Sequence, residues 1–221
     1  MNLTQFCATV SKEAPPDGLS LALQTLWWDA KGDWNRAHHC AQQDEGKTGS
    51  IVHAYLHRKE GDMRNAGGWY SRAGRAPATI SLQEEWQALA KEMLSLQSVA
   101  EARAAMDGFI AAFNAQSEEA IRTRWFHFPH VRFHGDTVTV MQRPEDYHTP
   151  VWCGSGSSGG WARSEWDYVE PIDVGTGKVH FRVQFTRYRT DGSAIDSYKS
   201  LYIVTYKEGR WGIQGRSSWA D

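Results

Sequence analysis

Lys178–Trp219 reads KVHFRVQFTRYRTDGSAIDSYKSLYIVTYKEGRWGIQGRSSW. Val179, Phe181, Val183 and Phe185 alternate with His180, Arg182, Gln184 and Thr186, the period of two of a strand with one apolar face. Asp191-Gly192 then gives a strong short hairpin signal. A second strand is predicted from about Ile195 to Tyr206, with Leu201 and Ile203 on one face and Tyr202 and Val204 on the other. Glu208-Gly209 makes another tight turn. The last strand carries Trp211 and Ile213 on one face, Gln214 and Arg216 on the other. Three long antiparallel strands form a meander whose apolar face must be covered. The upstream chain is the cover.

The chain has 221 residues, enough for one large domain or two small ones. Its 41% hydrophobic and 23% charged content is that of an ordinary soluble protein. A formal net charge of -2 lacks the basic excess of a nucleic-acid binder, so no nucleic acid is expected as partner. No apolar run approaches the ~20 residues of a membrane span, so no membrane is expected either. The first residues, MNLTQFCATVSKEAPPDG, lack a basic start and an apolar core. Cys7, Cys40 and Cys153 are odd in number and widely spaced, which argues against a disulfide framework. Together these predict a cytoplasmic protein.

Residues 1–18 read as a loose arm ending in Pro15-Pro16-Asp17-Gly18. Beyond it, KGDWNRA (31–37) and EGDMRNA (60–66) are an internal repeat. In each copy Gly-Asp fits a turn between two helices, and Ala37 or Ala66 lets the second helix approach the first. Ser81-Leu82-Gln83-Glu84 is a capping box, followed by the stripe Leu82, Trp86, Leu89, Met93 and Leu96. A boundary is placed near Ser95–Ser98. The copies resemble the tetratricopeptide helix–turn–helix pattern, although they are spaced more closely than that family's ~34 residues. The resemblance implies a protein partner held by the helical half; the alternative is a small bundle that only packs. His53 and His57 are four apart on a predicted helix, which is metal-ligand spacing. No third ligand stands near them, and His38-His39 falls on a polar helix and reads as solvated. No metal and no cofactor is therefore expected.

The second half opens with another helical stripe, Val99, Ala102, Met106, Phe109, Ile110 and Phe113. Glu118 to Phe126 reads as a short helix, His130–Asp136 as strand and turn, and Val138 and Val140 as more strand. Pro144–Tyr147 starts a third short helix, the Gly154–Gly160 run is a Gly/Ser loop that includes Ser157 and Ser158, and Arg163 to Val169 is a strand with Trp166 and Tyr168 facing the same way. This order, with FNAQSEEAIRTRWFHFPHVRF (113–133) followed by the terminal ladder, resembles the nuclear-transport-factor-2-like or SnoaL-like family over about residues 98–219. The predicted fold class is α+β: residues 1–97 form an all-helical, tetratricopeptide-like domain, and residues 98–221 form a cone-shaped, curved antiparallel sheet wrapped on helices.

The resemblance implies a conical pocket. Trp125, Tyr147, Trp152, Trp166 and Tyr168 are candidates to line it around a small hydrophobic ligand; the alternative is plain aromatic core. Ketosteroid isomerase relatives place a general-base Asp at the end of an early strand. The matching stretch is Phe133-His134-Gly135-Asp136, with Gly135 where the base would stand. The acid/base candidates are accordingly His130, His134 and Asp136. Alternation groups His130, Arg132 and His134 opposite Val131 and Phe133, so an inward apolar face would turn all three away from the cone. Arg182, Gln184 and Tyr188 share the sheet's mixed outer face, where the resemblance implies a homodimer contact; the alternative is a monomer with a wet face. Three readings follow, one of them a structural module without a ligand. Another is a non-catalytic binding or scaffolding protein with a small-ligand pocket or dimerisation module in the second half. The third is a small-molecule isomerase, dehydratase or hydrolase of the SnoaL-like type.

Overall fold

The computed structural model describes residues 1–149 and 160–220, as helices followed by a six-stranded mixed sheet, an α+β architecture. The chain divides into two compact units, Met1–Gln97 and Ser98–Asp221. No described helix is long and apolar enough to cross a membrane.

The first residues are not a loose arm. Helix α1 spans Leu3–Thr9 behind a capping box of Asn2 and Gln5, and its Phe6 is fully buried and stacks on Trp86. The expectation missed a helix that carries only one deeply buried apolar side chain, too few for a readable stripe. Two hairpins follow, α2 (Leu21–Lys31) with α3 (Trp34–Gln43) and α4 (Lys47–Glu60) with α5 (Met63–Ala73). Each turns on Gly-Asp. Gly32 (φ 85°) and Gly61 (φ 92°) close one helix in the left-handed conformation, which only glycine adopts freely. Asp33 and Asp62 then cap the next, accepting from the Arg36 and Asn65 amides at 3.0 Å. Ala37 and Ala66 are buried at the contacts.

Helix α6 runs unbroken over Leu82–Asn114, so the boundary expected near Ser95–Ser98 falls inside one helix and not between two. Its capping box is present: the Glu84 amide donates to Ser81 Oγ (3.2 Å) and the Ser81 amide to Glu84 Oε2 (2.9 Å). Between that cap and Gly108 the helix has neither Gly nor Pro, and two serines cost too little propensity to end it. Leu89, Ala90, Met93 and Leu94 enter the core of the first unit. Ala102, Ala105, Met106, Phe109, Ala112 and Phe113 enter the core of the second.

In the second unit a short helix α7 (Glu118–Ala120) and a π-helical turn (Ile121–Trp125) lead into β1 (Phe126–His134) and β2 (Thr137–Met141). Pro144–Asp146 is a single 3₁₀ turn. Then come β3 (Trp161–Gly175), β4 (Lys178–Arg189), β5 (Ala194–Lys207) and β6 (Arg210–Ala220). The order across the sheet is β2-β1-β6-β5-β4-β3. All neighbours are antiparallel except β1 and β6, which run parallel, so the all-antiparallel expectation fails at that pair. The meander itself is antiparallel throughout. β1, which enters from a helix rather than a hairpin, docks on the meander's free edge in the direction of β6.

Candidate functional site

A cavity of about 200 Å³ lies between α6 and the inner face of the sheet. Phe109, Ile110 and Phe113 form its helical wall. The strands add Arg132 and His134 from β1, Ser164 and Trp166 from β3, Phe185 and Arg187 from β4, Tyr198 and Tyr202 from β5, and Arg216 and Ser218 from β6. Asn114 ties α6 to β3, donating to the Ser164 carbonyl (2.9 Å) and accepting from its amide (2.8 Å).

Strand parity and two bulges decide which side chains enter. On β1, Phe126 is fully buried against Phe109, and His130 stacks on it at 3.9 Å. The register with β6 shifts between Phe126 and Val131, but pairing with β2 is regular from His130 on, so Arg132 and His134 share the side of His130 and reach the cavity. The expected inward face of Val131 and Phe133 is the outer one; Phe133 is 44% exposed. On β6 the register with β5 shifts between Ile203 and Val204: Val204 pairs with Ile213 but Ile203 with Gly215. Gln214 is the extra residue, so Arg216 returns to the side of Ile213, opposite to the face that plain alternation gives it. On β3 a shift between Trp166 and Tyr168 leaves Asp167 extra. Trp166 pairs with inward Phe185, and Tyr168 with outward Gln184.

Of the five expected pocket residues, Trp166 alone lines this cavity among those described. Tyr168 faces out, 38% exposed. Tyr147 is core, edge-on to Phe126 at 5.1 Å. Trp125 packs against Gly108 and borders a separate shallow groove with Glu101, Arg210 and Trp211. Trp152 and most of the Gly154–Gly160 run, with Ser157 and Ser158, fall outside the described residues.

The electrostatics are one-sided. Arg132, Arg187 and Arg216 share the cavity, and no Asp or Glu is among its described lining. Arg187 lies over the Tyr198 ring at 4.2 Å and donates to its hydroxyl at 3.0 Å. Arg216 sits 5.7 Å from the ring centres of both Phe109 and Phe126. Burial, then the Arg216 and Arg187 charges, lower the Arg132 pKa from its ordinary value. Arg132 Nε, Arg216 Nε and Trp166 Nε1 are buried donors with no hydrogen-bond partner among the described residues. Alternation continued from Phe185 marks Arg187 as inward, whereas Arg132 follows from its parity with His130 and Arg216 from the Gln214 bulge.

The acid/base candidates do not assemble. His130 is fully buried beneath the cavity with Nδ1 on the Ile213 carbonyl (3.0 Å), and burial pushes its pKa down to about 3, so it stays neutral. Asp136 is an exposed turn residue that accepts from Thr137 Oγ1. Gly135 holds φ 58° in that turn, a backbone demand that leaves no side chain where the base would stand. His134 is on the cavity wall. The dimer-face candidates face out, engaged with their own sheet: Arg182 with Glu170 (2.8 Å), Gln184 with Asp167 (3.1 Å), and Tyr188 beneath the Arg163 guanidinium (4.8 Å).

In the helical unit the structure corrects the histidine reading. His38 is not a solvated surface residue; its Nε2 lies 2.9 Å from His53 Nε2, and it brings a third imidazole to His53 and His57. His39 is the exposed one, beside Gln43. Burial and the neighbouring imidazoles lower the His53 pKa to about 4 and lower that of His38. His38 lies on α3, across the hairpin connection, so the helical spacing that links His53 to His57 does not reveal it.

No family model matches the chain, and no curated protein matches it in sequence. Solved structures do match. A nuclear-transport-factor-2-like protein with a cystatin-like fold from Novosphingobium aromaticivorans is 10% identical, covering 65% of this chain and 92% of that one, with a TM-score of 0.48. An uncharacterised protein with a cystatin-like fold from Caulobacter vibrioides is 10% identical (57% and 90% covered, TM-score 0.44). A nuclear-transport-factor-2-like superfamily protein from Salmonella enterica serovar Typhimurium is 11% identical (57% and 92%, TM-score 0.42). None of the three supports the tetratricopeptide resemblance of the first half; the matches fall on the C-terminal part of the chain.

Proposed function

We propose that residues 98–221 bind a small apolar anion, a single-ring or short-chain carboxylate, without transforming it. The observation that carries this reading is the convergence of Arg132, Arg187 and Arg216 in one aromatic-walled cavity whose described lining holds no carboxylate. Three half-buried cations in one cavity repel one another and lose part of their hydration. A ligand carboxylate reverses both effects, accepting charge-assisted hydrogen bonds from the orphaned donors of Arg132, Arg216 and Trp166. Phe109, Phe113 and Phe185 suit the apolar remainder of such a molecule. At about 200 Å³ the space is below the ~300–1,000 Å³ of drug-sized sites, which favours a ligand of one ring. A proton-transfer enzyme would need a base within reach of its substrate, and the described lining offers only His134. The test is titration of tryptophan fluorescence with benzoate and hexanoate. Saturable quenching that is lost in Arg216→Met supports the reading; no response to either acid at millimolar concentration overturns it.

A further inference from the structure

His38 from α3 and His53 and His57 from α4 bring their ligand nitrogens within 4.8 Å of one another. Their ring centres are 4.6, 4.8 and 5.3 Å apart. We propose that these three imidazoles are a binding site for a divalent transition metal of the zinc class. Nitrogens bound tetrahedrally at about 2.0–2.1 Å from zinc stand roughly 3.3 Å apart. The nitrogens, within 4.8 Å of one another, are thus an ångström or so from that spacing, and small adjustments of rings already held near their positions would close the cluster on an ion, with the His38–His53 pair, now at 2.9 Å, opening slightly.

Three further features point to a ligand rather than to packing alone. His57 Nδ1 faces Glu60 Oε1 at 2.5 Å, the carboxylate–histidine pairing that fixes the ring and leaves Nε2, now 3.2 Å from Asn65 Nδ2, as the nitrogen an ion would take in place of that contact. His53 is 2% exposed, yet its Nδ1 has no partner among the described residues. Trp34 stacks on His38 (4.5 Å) and Trp69 on His53 (4.0 Å), so two of the three rings are held in place before any ion arrives. His38 is only partly buried, which leaves the ion a way in. The donors are all imidazole, which suits zinc, cobalt, nickel or copper and not magnesium or calcium. Glu60 supplies one negative charge beside the site, and Arg72, over the Trp69 ring, one positive charge. Three protein ligands leave the fourth tetrahedral position to water. A bound ion would tie α3 to α4 across the connection between the two hairpins.

The competing account is a histidine pair sharing a proton, with the third ring adjacent. Titrating the chelator-stripped full chain with cobalt chloride, followed by visible absorption, separates the two. A metal site gives the bands of four-coordinate cobalt, saturating at about one equivalent, displaced by zinc and untouched by magnesium. His38→Ala and His53→Ala weaken cobalt binding by more than about 100-fold, and Glu60→Gln by about 10–100-fold. His39→Ala leaves it unchanged. His38 and Glu60 are not fully buried, so those variants decide the matter even if His53→Ala does not fold. The absence of saturable bands overturns the proposal, as does binding that survives His38→Ala or disappears in His39→Ala.

Discussion

Arg132 is held where a guanidinium is least comfortable, half-buried beside two others with its Nε unpartnered among the described residues. A binding site that is unfavourable until filled trades stability for affinity. Replacing Arg132 with Met keeps most of the stem and removes the charge. The ligand-free Arg132→Met protein should therefore melt higher than the parent, by about 2–4 °C for each kcal/mol recovered, while its response to carboxylates is lost. Differential scanning calorimetry with and without benzoate checks both halves; a lower melting temperature would mean that the arginine is structural. A second residue-scale outcome concerns acid. His130 and His127 have folded-state pKa values of about 3 and about 4, both depressed from 6.5 chiefly by burial. Between those values and 6.5 the unfolded chain binds more protons, so the contribution of these histidines is complete above pH 6.5 and is lost as pH falls towards 4 and then 3. Melting temperature should decline through that window, and less steeply in His130→Phe, which keeps a stacking ring that does not titrate. The polar residues of β1 were visible in the sequence; their direction was not, because Val131 and Phe133 offer a plausible apolar face and only the anchoring of Phe126 against Phe109 decides between the two.

At the scale of elements, alternation located the ladder strands and Gly-Asp located both helical hairpins, since each signal is local. Bulges are not local in the same way. The extra residues Asp167 and Gln214 reverse the alternation beyond them, removing Tyr168 from the cavity and bringing Arg216 into it. Nothing in WDY or IQG marks such a reversal, because it is set by the partner strand. The parallel pairing of β1 with β6 was hidden for the same reason. The connection between the hairpins has its own constraint. Gly49 sits in the first turn of α4, and a Cβ there would stand 1.9 Å from the Asp44 carbonyl oxygen. Alanine normally gains about 1 kcal/mol over glycine inside a helix. Gly49→Ala should nevertheless destabilise, by about 1–3 kcal/mol, because a backbone atom cannot step aside as a side chain can. Urea unfolding would show it, and a stabilised variant would mean that the connection relaxes freely.

For the whole molecule, every described cavity residue lies beyond Ser98, and the cores of the two units are separate sets of side chains. A fragment that begins at Ile80, keeping α6 and its Ser81 cap intact, should therefore retain carboxylate binding close to that of the full chain; a fragment that folds without binding would mean that the first unit completes the site. The central claim is that charge, not shape alone, selects the ligand. Calorimetric titration of the full chain with benzoate and with benzamide, nearly identical in size, isolates that charge. Losing the charge-assisted bonds should weaken the amide by about 10–100-fold, the equivalent of about 1.4–2.7 kcal/mol. Equal affinities for the acid and the amide, or tighter binding of the amide, would contradict the account.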